Sequence, residues 1–518
     1  MGRPLCLADL AAGAVAAGSL RGAGVLVLGA GRTGQAVARF AAAAGATVTL
    51  HDSAEPGRLV AAAAALEGTG VTLAFGPAAP IDALLDSADL VVHSPSVTLG
   101  FPSVKPAVAG PLGAYAARAL ALGGDPRATG PILISEPEWT LRLLGDRWRV
   151  GVTGTKGKTT TSALIAAILA ADPVLPVELG GNNGVPLIER AASLDPGARV
   201  VLELSELQLP AIASGLDLAV YTNVTVDHLD RHGSVEAYRR VKHRLAELVH
   251  PDGGLIVNLD DPVTAAYAGE GRVETVTYRR ESPLPGGVGV VDGWIVAAGV
   301  PRAPRFGGGA ATTGPGGRIM PLGEIALLGE HSISNVLAAV AAGLVAGVAP
   351  DAIRTAVAAF AGMPHRLEPV GTIDGIRFVN DGQATQPDAV IAALRTFPKP
   401  LVLIAGGRSK GADLRALAAV AAVRCSAVVL IGELSDELEA LFGGVGISPI
   451  VRASSIEDAA AKGLEVARSI AGAPSPSGAP RATVVLSPIG SSYDMFNNPF
   501  GARGDAFREA VRALAVRR

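Results

Sequence analysis

Short apolar runs alternate with longer stretches of helical periodicity in three successive parts of the chain. Such alternation is typical of parallel α/β layers, in which each buried strand is followed by a helix that covers the sheet. The pattern therefore predicts an α/β fold. Strands are predicted at 25–28, 48–52, 90–94, 149–153, 200–204, 218–222, 376–380, 401–405, 427–431 and 483–487, and helices at 158–170, 334–346 and 505–516.

The breaks between the three parts predict three domains, over residues 1–131, 132–362 and 363–518 of the 518-residue chain. The segment 283–317 is rich in Gly and Pro, with one apolar run at 294–297, and it predicts an irregular hairpin region. A second segment, 471–479, predicts a surface loop before the last strand.

Composition excludes several classes of protein. Hydrophobic residues make up 49% of the chain and charged residues 18%, unlike a disordered protein. The 44 Lys and Arg against 47 Asp and Glu leave a net charge of −3, so no general basic field favours nucleic acid. Two cysteines, Cys6 and Cys425, exclude a disulfide framework and fit a reducing compartment. No apolar run reaches the ~18 residues of a membrane span, so a cytoplasmic protein is expected.

A glycine-rich turn after the predicted strand 149–153 carries the strongest chemical signal. The order Gly154-Thr-x-Gly157-Lys158-Thr159 is a variant of the phosphate-binding loop, because the strict spacing requires Gly where this chain has Val152. Backbone N–H groups and the helix N-terminus attract phosphate, while the lysine reaches the β- and γ-phosphates and the threonine hydroxyl can bind Mg²⁺. An ordinary Gly-rich turn is the alternative. The predicted ATP-binding residues are Gly154, Thr155, Lys156, Gly157, Lys158, Thr159 and Thr160.

Polar residues come after the next two predicted strands of this part. Glu203 ends one strand, where an isolated buried acid needs a partner or a metal, and a structural hydrogen-bonding role is the alternative. Asp227, His228, Asp230 and Arg231 come after the other strand, at the sheet edge where ligands of α/β proteins bind. A role near Mg²⁺ and phosphate is therefore predicted for His228. By spacing alone, Lys242 is a surface lysine on a helix.

The first predicted strand leads into a second glycine motif, Gly29-x-Gly31-x-x-Gly34, with Asp52 further along the chain. This arrangement matches a dinucleotide-binding fingerprint, so by itself it indicates NAD.

Taken in order over nearly the whole chain, these segments resemble the Mur ligase family, ATP-dependent ligases that join an amino acid to a UDP-linked muramoyl precursor. The pattern Asn380-Asp-x-x-Ala-Thr385 is most similar to the glutamate-adding (MurD) type. The other shared motifs are Gly154-Thr-x-Gly-Lys-Thr159, Gly180-Gly-Asn-x-Gly184, Glu203-x-Ser-x-x-Gln208, Asn223-Val-Thr-x-Asp-His228-x-Asp-Arg231, Gly329-x-His-x-x-x-Asn335, Pro364-His-Arg-x-Glu368, Gly406-Gly-x-x-Lys410 and Ser487-Pro-x-x-x-Ser-x-Asp-x-Phe496.

The resemblance implies Rossmann-like first and third domains around the central ATP-binding domain. It also implies an acid–amino acid ligase that adds glutamate to UDP-N-acetylmuramoyl-L-alanine through an acyl phosphate, in peptidoglycan synthesis. It makes Lys158, Glu203, His228 and Lys242 catalytic, has Thr159, Glu203, His228 and a carbamylated Lys242 hold two Mg²⁺ ions, and adds Asn335, Arg366 and Asp381 to the ATP site. It assigns Arg32, Thr33, Asp52, Asn182, Ser205 and Gln208 to the UDP substrate, and Thr385, Lys410, Ser492 and, after a one-residue insertion, Phe500 to glutamate. With an ATP site later in the chain, the resemblance thus favours UDP over NAD at the first glycine turn.

The chain also departs from the family pattern. Glu206-Leu207 stands where the MurD type usually has Ser-Phe, Gln383 stands where Lys or Ile is frequent, and Ser332 replaces a common Asn. L- and D-glutamate are not distinguished by the sequence. A folylpolyglutamate synthetase-like ligase and a non-catalytic scaffold are the alternative functions, and a monomer is expected.

Overall fold

The computed structural model describes residues 4–97, 106–120, 130–409, 411–472, 479–490 and 499–516. The chain divides into two compact units, Met1–Glu324 with Ser334–Val357 and Ile325–Ile333 with Ala358–Arg518. The first unit contains two sheets and the second contains one. The prediction of an α/β fold is confirmed, and the exact domain boundaries stay a prediction. No helix in the described part of the chain is long and apolar enough to cross a membrane.

The first sheet has five parallel strands in the order β3-β2-β1-β4-β5. The order reverses between β1 and β4, and in open α/β sheets the crevice at such a reversal binds ligands. Its strands are β1 Gly24–Leu28, β2 Thr47–Asp52, β3 Thr72–Phe75, β4 Leu90–His93 and β5 Ile132–Ser135; the helices are α1 Ala12–Ala16, α2 Arg32–Ala43, α3 Val60–Ala64, α4 Ile81–Asp86, α5 Pro106–Leu120 and α6 Glu136–Leu144.

The second sheet has nine strands in the order β14-β13-β12-β11-β10-β9-β6-β8-β7. The seven strands from β12 to β7 in this order, which include β6, are parallel. β13 pairs antiparallel with β12, and β14 pairs antiparallel with β13. β12 and β13 form a hairpin, so the hairpin predicted within 283–317 is confirmed. The strands are β6 Trp148–Thr153, β7 Val177–Gly181, β8 Arg199–Glu203, β9 Leu216–Tyr221, β10 Val249–Asn258, β11 Glu274–Tyr278, β12 Val288–Val291, β13 Trp294–Ala297 and β14 Arg318–Pro321.

The helices of this part are α7 Lys158–Ala170, α8 Ile188–Ala191, α9 Leu229–His232, α10 Val235–Glu247, α11 Pro262–Ala268, α12 Glu330–Val345 and α13 Pro350–Ala359. The predicted helix 158–170 is confirmed residue for residue. Gly151 in the middle of β6 lets a helix lie close, because a Cβ there would be 2.9 Å from Leu245 Cδ1 of α10. This close approach fixes α10 against β6.

The second unit has a six-stranded sheet in the order β15-β16-β20-β17-β18-β19, parallel except for β15. Its closing helix begins at Pro499 rather than at the predicted residue 505. Proline suits the first turn of a helix, where its missing N–H costs nothing. The elements are β15 Glu368–Ile373, β16 Ile376–Asn380, β17 Leu401–Gly406, β18 Ala427–Ile431, β19 Ile450–Arg452, β20 Ala482–Ile489, α14 Pro387–Thr396, α15 Arg415–Arg424, α16 Ser435–Gly444, α17 Ile456–Ile470 and α18 Pro499–Val516. Of the predicted loop 471–479, residues 473–478 lie outside the described part of the chain.

Candidate active site

The glycine turn between β6 and α7 has the backbone geometry of a phosphate-binding loop. Gly154 and Gly157 have φ angles of +154° and +85°, which side chains with a Cβ rarely adopt. A Cβ at Gly154 would overlap the Thr222 hydroxyl, and a Cβ at Gly157 would overlap the amide oxygen of Asn335. The two glycines are therefore required for this loop to close onto its neighbours.

Asn223, two residues after the end of β9, holds the loop in place. Its backbone carbonyl accepts a hydrogen bond from Thr155 N at 2.7 Å, and its side-chain oxygen accepts one from Lys156 N at 3.0 Å. Its side-chain amide in turn donates to Lys156 O at 3.1 Å. In the sequence Asn223 is only part of a motif, and its position just beyond β9, a strand adjacent to β6, is the signal for this role.

Lys158 is the first residue of α7 and lies over the loop. Its Nζ donates to the carbonyl oxygens of Gly154 and Thr155, each at 3.0 Å. Thr159 and Thr160 come next in the first turn of the helix, whose backbone N–H groups attract anions. Asn335 lies beside the loop as well, since its Oδ1 accepts from Thr161 Oγ1 at 3.2 Å. The structure thus brings the predicted ATP-binding residues of the first unit together.

Glu203 ends β8 in register with Val152 of β6, one residue before that strand ends. Its side chain is 2% exposed; Oε1 accepts from Asn182 Nδ2 at 3.0 Å, and Oε2 is buried without a hydrogen-bond partner among the described residues. A buried, half-satisfied carboxylate is costly by itself but suits a divalent cation, because Mg²⁺ prefers oxygen ligands. A purely structural hydrogen-bonding role for Glu203 accounts for only one of its two carboxylate oxygens.

The described residues of this region do not form a full protein cage for a metal ion. The described residues contain no group of three or more His, Cys, Asp and Glu side chains arranged to hold a metal ion. Mg²⁺ bound with a nucleotide does not need one, because phosphates and water complete its coordination beside one or two carboxylates. The residues present therefore fit a nucleotide-bound Mg²⁺ ion, with Glu203 and the Thr159 hydroxyl as donors.

Lys242 is not a surface residue, and the interpretation from spacing alone is wrong. Its side chain is fully buried, with Nζ 3.2 Å from the Thr153 hydroxyl and 3.7 Å from Glu206 Oε2. The physical reason is the face of α10 on which it lies, which also carries the buried Tyr238 and Leu245. Burial, followed by the positive charge of Lys158, lowers the pKa of Lys242 to about 7, although Glu206 acts in the opposite direction.

Glu206 links Lys242 to His228. Its side chain is 8% exposed, and Oε1 lies 3.6 Å from His228 Nε2. Burial by itself raises the pKa of Glu206, but the charges of Lys242, His228 and Lys158 outweigh it, so the pKa is lowered overall. His228 has a φ of +51°, which turns the chain sharply after Asp227.

Two further pairs complete this end of the sheet. Lys156 Nζ pairs with Asp227 Oδ2 at 2.9 Å, and although burial raises the pKa of Asp227, this lysine lowers it overall. The Ser205 hydroxyl donates to Gln208 Oε1 at 3.0 Å, and both residues are buried. The side chain of Asp230 lies outside the described atoms.

The first glycine motif forms a second strand–turn–helix, between β1 and α2. A Cβ at Gly34 would overlap the carbonyl oxygen of Gly29, so the helix packs tightly on the turn. Asp52 accepts hydrogen bonds from Ala30 N and Ala54 N, each at 2.9 Å. Arg32 and Thr33 begin the helix, and a Cβ on Gly184 would lie 3.2 Å from Arg32 Nη1. Arg32 therefore lies beside the loop that carries Asn182.

The second unit carries the remaining predicted residues. Asp381 is buried, accepts from the Ser487 hydroxyl at 2.9 Å and from Leu367 N at 3.2 Å, and burial raises its pKa to about 7. Arg366 is exposed and Thr385 half-buried. Lys410 and Ser492 lie outside the described residues, as does the side chain of Phe500, so their roles stay predictions.

Comparison with known proteins adds family models and full-length relatives. The Mur ligase middle domain matches residues 152–343, and the Mur ligase, glutamate ligase domain matches residues 365–472. A UDP-N-acetylmuramoylalanine--D-glutamate ligase from Symbiobacterium thermophilum is 36% identical over 493 residues, covering 94% of this chain and 98% of that protein. The enzyme of the same name from Pelotomaculum thermopropionicum is 34% identical, covering 95% and 97%.

The chain belongs to the Mur ligase family. Solved structures agree at the level of the fold. UDP-N-acetylmuramate-alanine ligase MurC from Thermotoga maritima superposes with a TM-score of 0.54 at 17% identity, covering 95% of this chain and 99% of that one. A pseudomurein peptide ligase type C from Methanothermus fervidus gives 0.51 at 18% identity, covering 95% and 100%. The resemblance drawn from the motifs is therefore confirmed, and the protein is a ligase of this family.

Proposed function

We propose that this Mur ligase uses ATP to join D-glutamate to UDP-N-acetylmuramoyl-L-alanine, a step of peptidoglycan synthesis. The relatives that match almost the whole chain carry this activity in their names, including the D configuration of the amino acid. Two observations on adjacent strands carry the proposal. Lys158, after β6, lies over the phosphate-binding loop. Glu203, at the end of β8, has one buried carboxylate oxygen without a hydrogen-bond partner among the described residues.

The chemistry has two steps. The alanine carboxylate attacks the γ-phosphorus of ATP, so that a new O–P bond forms while the bond to ADP breaks. The amine of glutamate then attacks the carbonyl carbon of this acyl phosphate, a C–N bond forms, inorganic phosphate leaves and the amine loses a proton. The first step brings two anions together, so catalysis depends on positioning and on neutralisation of charge.

The residues of the first unit fit this demand. Lys158 supplies a cation over the loop, and the helix N-terminus behind Thr159 and Thr160 supplies partial positive charge. The family resemblance implies two Mg²⁺ ions. When bound, they would neutralise the phosphates and polarise the γ-phosphorus, with Thr159, Glu203 and His228 as donors. For Lys242 the resemblance predicts a carbamate. In the structure, Lys242 Nζ lies 3.7 Å from Glu206 Oε2.

The substrate path is assigned in the same way. Arg32, Thr33 and the turn fixed by Asp52 suit a diphosphate, because an arginine and a helix N-terminus both attract phosphate oxygens. Asn182, Ser205 and Gln208 would line the muramoyl–alanine part. The assignment of Arg366 and Asp381 to the nucleotide, and of Thr385, Lys410, Ser492 and Phe500 to glutamate, rests on the family motifs alone.

The test is an assay of ADP release from the purified full chain with ATP, Mg²⁺ and UDP-N-acetylmuramoyl-L-alanine. D-glutamate should stimulate release and yield the dipeptide product, whereas L-glutamate, folate and NAD should not. Stimulation by L-glutamate alone would correct the stereochemistry. No stimulation by either enantiomer would refute the proposed reaction.

A further inference from the structure

A bidentate ion pair joins helix α2, which begins at the first glycine turn, to helix α8, which follows β7 of the second sheet. Arg39 Nε lies 2.9 Å from Glu189 Oε1, and Arg39 Nη2 lies 3.0 Å from Glu189 Oε2. The two side chains are 34% and 39% exposed. Because two parallel hydrogen bonds join two planar groups, such a pair fixes geometry as well as charge. It therefore holds the two helices in one relative orientation on the solvent side of their contact.

The same helices also share an apolar core, which the ion pair borders. Val37 of α2 and Ile188 of α8 are buried in one hydrophobic core. Phe40 of α2 packs edge-on against Trp139 of α6, which belongs to that core, with the ring centroids 5.3 Å apart. Burial of apolar surface is non-directional. The charged pair therefore adds an orientation that apolar packing by itself does not specify.

Each partner of the pair lies on a segment that also carries a predicted substrate residue. Arg32 begins α2 and lies on the same helix face as Arg39, because the seven residues between them make about two turns. Asn182 comes directly after β7, at the start of the segment that leads into α8. A Cβ at Gly184 in this segment would lie 3.2 Å from Arg32 Nη1. Segment 182–189 is thus close to α2 at Arg32 and again at Arg39.

We propose that Arg39 and Glu189 are positioning residues that set the spacing between the two parts of the site for the UDP substrate. The first part is the turn after β1 with Arg32, which suits the diphosphate. The second part is the loop with Asn182, assigned to the muramoyl–alanine portion. One extended ligand contacts both parts, so it binds with full affinity only when their spacing is correct before binding. The identity of this ligand rests on the proposed function, whereas the amino acid that is joined to it plays no part in the inference.

The first test compares a ligand that spans both parts with a ligand that fills only the first. Isothermal titration calorimetry of the full chain, without ATP or glutamate, measures the affinities for UDP-N-acetylmuramoyl-L-alanine and for UDP. Arg39→Ala should weaken binding of the spanning ligand about threefold to fivefold, as expected for the loss of one well-formed, half-exposed ion pair. Binding of UDP should stay within about twofold, because UDP does not reach the second part. Equal weakening for both ligands, or none for either, would overturn the proposal.

The second test exchanges the charges, which separates positioning from a general weakening of the fold. Arg39→Glu should weaken binding of the spanning ligand about tenfold or more, because two carboxylates then face each other. Adding Glu189→Arg should restore the affinity to within about twofold of the wild type. The matched control is Arg190→Ala, also on α8, whose partner Glu178 lies at 3.1 Å on β7 rather than on α2, and it should bind both ligands as the wild type does. A double variant no better than Arg39→Glu would overturn the proposal.

Turnover separates this inference from the proposed function. In Arg39→Ala, the KM for the UDP substrate should rise about threefold to fivefold, while kcat and the KM for ATP stay within about twofold. If no glutamate-stimulated ADP release occurs but the two ligands respond differently to Arg39→Ala, the proposed reaction fails and this inference stands. If ligation is normal and the two ligands respond equally, the inference fails and the proposed reaction stands. A wild type that does not bind the spanning ligand would overturn both.

Discussion

The first unit contains two glycine turns of the same architecture, one after β1 and one after β6, and they differ in the residue that begins the next helix. Each turn starts with a glycine of positive φ, Gly29 at +99° and Gly154 at +154°, and each leads directly into a helix. In the second turn the helix begins with Lys158, which lies over the loop. In the first turn it begins with Arg32, beside the loop of Gly184.

The two turns are also stabilised differently. The turn after β6 is fixed by hydrogen bonds to the side chain and backbone of Asn223, a residue outside the turn, and Lys158 lies over it. The turn after β1 is fixed by the close packing of Gly34 on the Gly29 carbonyl and by the hydrogen bond from Ala30 N to Asp52. A rigid turn suits a group that is only bound, whereas a loop covered by a lysine suits a phosphate whose charge changes during the reaction.

The basic groups behind the turns show the same contrast. His93 ends β4 in register with Leu28 of β1, and burial lowers its pKa to about 4, against a hydrogen bond to Ser94 O. Lys242 lies behind the other turn and has Glu206 as its partner. The turn after β1 thus lies next to a histidine that is neutral near pH 7, and the turn after β6 lies next to the Lys242–Glu206 ion pair.

The largest expected effect is the loss of Lys158. Lys158→Ala should lower kcat by about a thousandfold or more, because a preorganised cation at the transferred phosphoryl group is removed. The KM for the UDP substrate should stay within about twofold, since uniform binding at the other turn is untouched. Steady-state ADP release measures both. The exposed Arg240→Ala on α10 is the control, and equal losses in the two variants would contradict a specific role of Lys158.

The next effect is on acid stability around the first turn. A histidine whose folded pKa of about 4 lies below its usual 6.5 contributes stability above pH 6.5 that is lost as the pH falls toward 4. For His93 the full contribution is on the order of 3 kcal/mol. Hydrogen exchange of the β1 and β4 amides should therefore accelerate between pH 6.5 and pH 4.5, after correction for intrinsic rates, and His93→Gln should flatten this dependence. Parallel pH profiles in both proteins would contradict the assignment.

A smaller effect is expected for the packing of the first turn. Gly34→Ala should lower the free energy of unfolding by about 1–3 kcal/mol, because the added methyl overlaps the Gly29 carbonyl. Gly31→Ala is the matched control, since a Cβ there meets nothing within 4 Å and its φ of −67° suits alanine. Tryptophan fluorescence during urea unfolding reports on this unit, which contains Trp139, Trp148 and Trp294. Equal stability of both variants would show that the turn can relax.

The sequence predicted the buried strands and the phosphate-binding loop because apolar runs and glycine spacing are local signals. It missed strands such as β3 Thr72–Phe75, whose residues are half-buried or exposed and so lack an apolar run. The burial of Lys242 does have a local signal, which is the i, i+4, i+7 spacing of Tyr238, Lys242 and Leu245 on one helix face. Its partner Glu206 could not be predicted, because 36 residues separate them in the chain.

The smallest effect distinguishes binding from chemistry at the first turn. Arg32→Ala should raise the KM for the UDP substrate about tenfold, the cost of one charge-assisted contact, and leave kcat and the KM for ATP nearly unchanged. Arg32→Lys should recover part of the loss, because it keeps the charge without the planar fork. The exposed Arg58→Ala, in the same sheet region, is the control for charge alone. A fall in kcat with unchanged KM would mean that the first turn takes part in the reaction itself, and the contrast between the two turns would be lost.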